Sequence, residues 1–280
     1  MKVDPFPPIR PPELTSLVES INIATGLDLT VYTPATLQLL LSTFIHEQGY
    51  ETSHTLIRRI SQYPDTCEDI LEHVDLNDTE MFRDPDLWHR LFSEIIPGRM
   101  AERKSLNVWM PSCSLGDDLF SFSILALECG LENQVDIVAS SLSRQRIEKA
   151  RAGRMSNEPP DLSLENYLKA GGKKSLWDYV SRIDRQYMRS KQLVKQVTFR
   201  EQGLFPGERT GRFDLILYRN RLNLFLPGIQ ALIVQRLLDQ LDPGGFLVIG
   251  YRERITDSTV LKRVAASPEY PEILKKTGHE

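Results

Sequence analysis

Between an apolar run, Leu106–Val108, and a helix-like run, Leu119–Glu128, the chain reads Trp109-Met110-Pro111-Ser112-Cys113-Ser114-Leu115-Gly116-Asp117-Asp118. Small residues and a glycine between a strand and a helix are how doubly wound α/β folds bring backbone N–H groups and a helix N-terminus up to a ligand. Two carboxylates at that helix start would repel a phosphate. They suit a hydroxyl-rich or cationic ligand, whose donors and positive charge they can meet. A strand-to-helix turn that holds no ligand accounts for the same residues equally well.

Other chemistries have little to stand on. Cys67, Cys113 and Cys129 lie far apart without paired spacing, so neither a disulfide framework nor a zinc site is implied. His46, His54, His73, His89 and His279 are scattered, whereas metal sites need clustered ligands. No metal is expected. No apolar run approaches the roughly 20 residues that span a bilayer. The proline-rich start, Met1–Pro12, lacks the basic-then-apolar order of a signal peptide. A cytoplasmic protein is the expectation. The net charge of −4 is unevenly spread, with no Lys or Arg between Pro11 and Ile57 but five acids, Glu13, Glu19, Asp28, Glu47 and Glu51. Such a surface repels nucleic acid, so no nucleic-acid partner is expected.

The glycine turn needs a sheet to hold it, and the pattern supplies one. Leu106–Trp109, Val135–Ser140, Phe213–Tyr218 and Phe246–Gly250 read as strands. They alternate with helices at Leu119–Gly130, Arg144–Ala152 and Pro227–Leu241, with a turn at Asp242–Gly245. That order predicts an α/β fold with a mainly parallel sheet. Ahead of it, Leu14–Ala24, Ala35–Glu47, Thr52–Tyr63 and Thr66–Val74 predict a small helical domain, about residues 10–75. Gly26 is the expected stop of the first helix, and Thr33-Pro34 the start of the second. Residues 76–96 form a linker and a connecting helix, Leu87–Ile96, expected to end at Pro97-Gly98. The α/β domain then covers about 97–257. An insertion at about 155–200 carries a small β element, with Lys191–Phe199 its candidate strand. Residues 258–280 lack a clear strand and are expected to be irregular.

Several segments, in order, resemble a known family. Asn77-Asp78-Thr79-Glu80-Met81-Phe82-Arg83-Asp84-Pro85 resembles N-x-T-x-F-F-R-D-P, and Ser112–Ser121 resembles G-C-S-T-G-E-E-P-Y-S. Glu148–Gly153 matches E-K-A-R-x-G, Phe213–Asn220 resembles F-D-L-I-x-C-R-N, and Leu241–Leu247 resembles L-x-P-G-G-x-L. Thr25-Gly26-Leu27-Asp28 recurs at the matching place in the helical domain. Over roughly residues 14–255 the chain resembles the CheR family, S-adenosylmethionine-dependent methyltransferases that esterify glutamates on bacterial chemoreceptors. The resemblance implies a Rossmann-like methyltransferase domain. S-adenosylmethionine has both a ribose and a sulfonium, the two characters that suit the acids of the turn. The implied cofactor-binding residues are Asn77, Thr79, Arg83, Ser112, Gly116, Asp117, Asp118, Ser141, Gly203, Leu204, Asn220 and Arg221. The linker residues among them also read as helix capping and local ion pairing.

The departures bear on function. Where the family's second strand ends A-[ST]-D-I-D, with its first Asp gripping the ribose hydroxyls, this chain has Ala139-Ser140-Ser141-Leu142-Ser143. Losing a charged hydrogen bond to a buried ligand costs on the order of 1.5–3 kcal/mol. Gln202-Gly203-Leu204 stands where the family has N-L beside the adenine. Arg221 replaces a small apolar residue, and Leu224 the tyrosine that the resemblance sets at the methyl-transfer site. The helix Ala35–Glu47 has lost the family's basic receptor-docking face. Leu37, Leu40, Leu41, Phe44 and Ile45 form an apolar face of ordinary core width, and Leu39 lies off it. The chain therefore reads as a CheR-like protein with impaired methyl transfer, with cofactor binding weakened or lost. It would be kept as a binding or regulatory module for a chemoreceptor or signalling protein. The alternative is an active S-adenosylmethionine-dependent protein-glutamate O-methyltransferase with altered substrate docking, since in-line methyl transfer draws mainly on proximity. A pocket reused for an anion, with Arg221 and Arg83 as anchors, is a third reading.

Overall fold

The computed structural model describes residues 8–63, 65–74, 80–155, 161–203 and 211–278. They separate into two compact units, Met1–Leu76 with Asn223–Gln230, and Asn77–Leu222 with Ala231–Glu280. In the first unit the helices are α1 (Pro11–Thr25), α2 (Pro34–Glu47), α3 (Ser53–Gln62) and α4 (Thr66–Val74). Gly26 ends α1 at φ 70°, and the Thr33 hydroxyl accepts the Thr36 N–H to start α2 on Pro34. Leu37, Leu41 and Phe44 are buried, while Leu39 is 52% exposed. The segment from Asn223 joins this unit. The Leu224 carbonyl accepts the Thr33 N–H at 2.9 Å, and Phe225 stacks on Tyr32.

The second unit is built on strands β1 (Leu106–Pro111), β2 (Val135–Ser141), β3 (Val180–Ile183), β4 (Gln186–Arg189), β5 (Thr198–Glu201), β6 (Phe213–Leu217), β7 (Leu241–Val248), β8 (Val264–Ala266) and β9 (Ile273–Lys276). Seven of them form one sheet in the order β5-β2-β1-β6-β7-β9-β8, and β3 pairs with β4 as a separate hairpin. The pairs from β5 to β7 are parallel, while β9 runs antiparallel to β7 and to β8. This is the mixed α/β, Rossmann-like sheet. From β1 the chain moves outward to β2 and β5, then returns to β6 on the other side. The switch point therefore lies between the carboxyl ends of β1 and β6, where open α/β sheets bind ligands. Its helices are α5 (Pro85–Arg90), α6 (Ile96–Glu102), α7 (Asp117–Glu128), α8 (Arg144–Arg151), α9 (Asp161–Lys169), α10 (Pro227–Gln240) and α11 (Ser258–Leu261). Leu119, Phe120, Phe122 and Ile124 sink α7 into the core.

Four expectations need correction. The connecting helix does not stop at Pro97-Gly98. A π-turn over Leu91–Ile95 leads straight into α6, so one extra residue is wound in just before Pro97, whose missing N–H then breaks no regular bond. Lys191–Val194 is a 3-10 turn, and the strand begins only at Thr198. Asp242–Gly245 is not a separate turn but a wide bulge inside β7, where the register with β6 jumps. Residues 258–278 are not irregular. They carry α11, β8 and β9, and the two short strands take their regularity from pairing, β9 with β7 and β8 with β9.

Candidate functional site

The glycine turn sits at the carboxyl end of β1, at the switch point. Three residues there adopt positive φ, Ser112 at 56°, Ser114 at 47° and Gly116 at 90°. Left-handed backbone at two serines is uncommon, and it persists where surrounding contacts hold it. The turn is tied to the neighbouring strand end, because the Cys113 N–H donates to the Ser140 carbonyl at 2.8 Å.

Both acids of the turn are already paired. Arg189, at the end of β4, has a fully buried side chain that donates to the Asp117 carboxylate at 2.8 Å and to the Leu115 carbonyl at 2.7 Å. It also donates to the Arg154 carbonyl and lies over the Phe120 ring. Arg219, just after β6, donates to Asp118 at 2.6 Å, to Asp84 at 2.7 Å and to the Arg83 carbonyl at 2.8 Å. Burial raises the Asp118 carboxyl above the usual carboxylate range, with Arg219 and Arg83 opposing that rise. Two guanidinium groups, Arg189 and Arg219, thus meet the three carboxylates of Asp117, Asp118 and Asp84.

The linker reaches this centre. Phe82 and Asp84 hold positive φ on either side of Arg83. The Phe82 N–H donates to Ser121 of α7, and Trp88 donates to the Arg83 carbonyl. Arg83 is half-buried, and its charge acts on Asp118. Asn77, Thr79 and Leu204 lie outside the described residues.

At the end of β2, Ser141 is fully buried, and its hydroxyl accepts the Ser143 N–H at 3.1 Å. The chain just before Gly203 is tied to it, as the Gln202 N–H donates to the Ser141 carbonyl at 2.8 Å. A Cβ at Gly203 would overlap Leu142 Cδ2, so the Leu142 side chain fills the space that a side chain at 203 would need. Asn220 and Arg221 form the turn after β6, with Asn220 at φ 58° and Arg221 2% exposed. Arg221 is thus a buried part of the turn.

Four residues of this centre escaped the sequence reading. Arg189 lies in an insertion without strong patterning. Arg219 was visible in the C-R-N-like motif but had no role assigned. Tyr218 fills the cysteine position of that motif and is buried. Glu253 is also buried, and its carboxylate accepts the N–H groups of Gly250 at 2.5 Å, Leu222 at 2.6 Å and Asn220 at 3.0 Å. Burial pushes its carboxyl up, against those backbone donors and that of Arg221. Its only sequence signal is an acid three residues past Gly250, where the fourth strand run ends.

Residues 77–270 match the family model described as CheR methyltransferase, SAM binding domain. The chain belongs to the CheR methyltransferase family. The domain's cofactor is accordingly S-adenosylmethionine. The chain is 25% identical over 265 residues to a candidate methyltransferase of Pseudomonas putida, Cher3, covering 95% of this chain and 97% of that one. It is 30% identical over 190 residues to a chemotaxis protein methyltransferase of Vibrio parahaemolyticus, 65% of this chain and 66% of the relative. A chemotaxis protein methyltransferase of Listeria innocua is 25% identical over 232 residues, 82% and 85% of the two chains. Among the described residues no helix is long and apolar enough to cross a membrane, and no group of His, Cys, Asp and Glu is arranged to hold a metal.

Proposed function

We propose that this chain is a CheR-type protein of a chemotaxis-like signalling system in which methyl transfer is impaired. It serves mainly as a binding or regulatory module for a protein partner, a chemoreceptor or another signalling protein. The observation that carries this reading is the nucleoside end of the cleft. Ser141 replaces a ribose-gripping acid, its hydroxyl is engaged by Ser143, and Leu142 occupies the space beside Gly203.

The residues present still fit the cofactor, with a weakened grip. The Ser112–Gly116 backbone would receive its amino-acid end, Asn220 would lie at the crevice wall, and Ser141 would meet the ribose. When bound, S-adenosylmethionine supplies an electrophilic methyl on its sulfonium. Toward that cation the turn offers less attraction than its two acids suggest, because Arg189 and Arg219 offset them. Leu224 brings no hydroxyl to the transfer position, and α2 brings no basic face to an acidic receptor segment. A partner for α2 would therefore be recognised by shape and apolar contact.

Calorimetric titration with S-adenosylmethionine and S-adenosylhomocysteine, run beside a labelled-methyl transfer assay on a chemoreceptor methylation region, tests the proposal. Affinity weaker than micromolar and no transfer above background are expected. Micromolar affinity together with turnover would overturn it.

A further inference from the structure

The turn after β6 is wrapped around a buried acid. Glu253 is 1% exposed and lies just beyond β7. Its Oε2 accepts the Gly250 N–H at 2.5 Å and the Asn220 N–H at 3.0 Å, and its Oε1 accepts the Leu222 N–H at 2.6 Å. The Arg221 N–H bears on the same carboxylate. The N–H groups of three successive residues therefore converge on one anion, as in the backbone nests that hold phosphates. Here the anion is a side chain of the protein itself. That side chain is fixed by its own loop, since the Glu253 N–H donates back to the Gly250 carbonyl at 2.9 Å.

The most constrained residue of the turn is Asn220, at φ 58°. Left-handed backbone is costly for a residue with a Cβ, and it persists where surrounding contacts hold it. The Asn220 side chain also lies across Gly250. An added Cβ there would stand 2.6 Å from Asn220 Oδ1 and 2.9 Å from Glu253 Oε2. Unlike Glu253, Asn220 is only half-buried. It directly follows Arg219, which lines the space beside the glycine turn with Ser112 and Asp117.

We infer that Glu253 is a positioning residue for the cofactor, acting through Asn220, which it holds in the left-handed conformation that shapes the crevice wall. At its depth it touches no ligand itself. This role rests on the reading of the cleft as the S-adenosylmethionine site, whether or not methyl transfer is impaired. Without the carboxylate, the left-handed state at residue 220 falls to about a tenth of the population, and apparent affinity falls with it. Glycine adopts that state without help.

Calorimetric titration of S-adenosylhomocysteine into the full-length parent, Glu253→Gln, Asn220→Gly and the double variant tests this. Glutamine keeps the shape but presents one acceptor oxygen where the nest needs two. Glu253→Gln should raise Kd about tenfold beside Asn220, and less than about twofold in the Asn220→Gly chain. An acid needed only for folding would cost the same in both. Ser141→Asp serves as the parent if the native chain binds too weakly to titrate. If Glu253→Gln does not fold, Glu253→Asp, which withdraws the charge by one methylene, takes its place in the same comparison. Parent-like affinity in Glu253→Gln, an equal loss in both backgrounds, failure of both Glu253 variants to fold, or no binding by either parent would each overturn the inference. Micromolar binding with turnover by the native chain would overturn the impaired reading alone.

Discussion

Arg189 and Asp117 are 72 positions apart in the chain and 2.8 Å apart in space, and their contact joins the inserted hairpin to the glycine turn. Removing one member of a buried pair leaves an uncompensated charge, at about 3–5 kcal/mol. Arg189→Met should lower the unfolding free energy by about that much in urea titration. Asp117→Asn added to it should restore most of the loss. A double variant no better than the single one would mean that the carbonyls of Leu115 and Arg154, and not the carboxylate, are what Arg189 satisfies.

Ser141 offers the cleanest test of the nucleoside end. Ser141→Asp would place a carboxylate at the end of β2, where a diol can donate two hydrogen bonds to it. S-adenosylhomocysteine binding should tighten by about one to two decades by calorimetry, the worth of a charge-assisted hydrogen bond. Gly203→Asn should add nothing unless Leu142 is shortened as well, because the new side chain and Leu142 need the same space.

Stability should depend on pH through Glu253. Its carboxyl is raised in the folded protein by burial. From the ordinary carboxylate range up to that raised value, the folded state holds more protons than the unfolded chain. Stability from this group is therefore complete at the lower pH, falls as pH rises through the window, and levels off above it. Thermal unfolding across that range should show the decline in the native chain and a flatter profile in Glu253→Gln. An unchanged slope in the variant would assign the titration to Asp118.

Gly153 marks where the hairpin meets α8. It has φ 75°, and a Cβ there would overlap the Arg189 carbonyl oxygen, a backbone atom that cannot swing away. Gly153→Ala should destabilise by more than about 1 kcal/mol. It should also loosen the turn around Asp117, seen as faster amide exchange at Leu115 and Gly116.

The parts of this molecule legible in the sequence are those specified locally. A strand, a small-residue turn and a helix announce themselves within 20 residues or so, and the caps at Thr33 and Gly26 within four. Arg189 was not legible, because nothing near it in the chain says that it crosses to Asp117. Leu142 was read only as the neighbour of a lost acid, and its filling role depends on the backbone at Gly203 arriving beside it. The strands β8 and β9 have three and four residues, too few to show a period, and exist through their partners. The π-turn needed knowledge of how the chain packs around Pro97.

The length of chain closed by the Arg189–Asp117 contact has a kinetic consequence. Local elements such as α7 can form early, whereas a contact this distant must wait for loop closure and for the hairpin to dock. The glycine turn would therefore take its final shape late in folding. During synthesis it stays immature until Arg189 has left the ribosome, long after β1 and α7 have emerged.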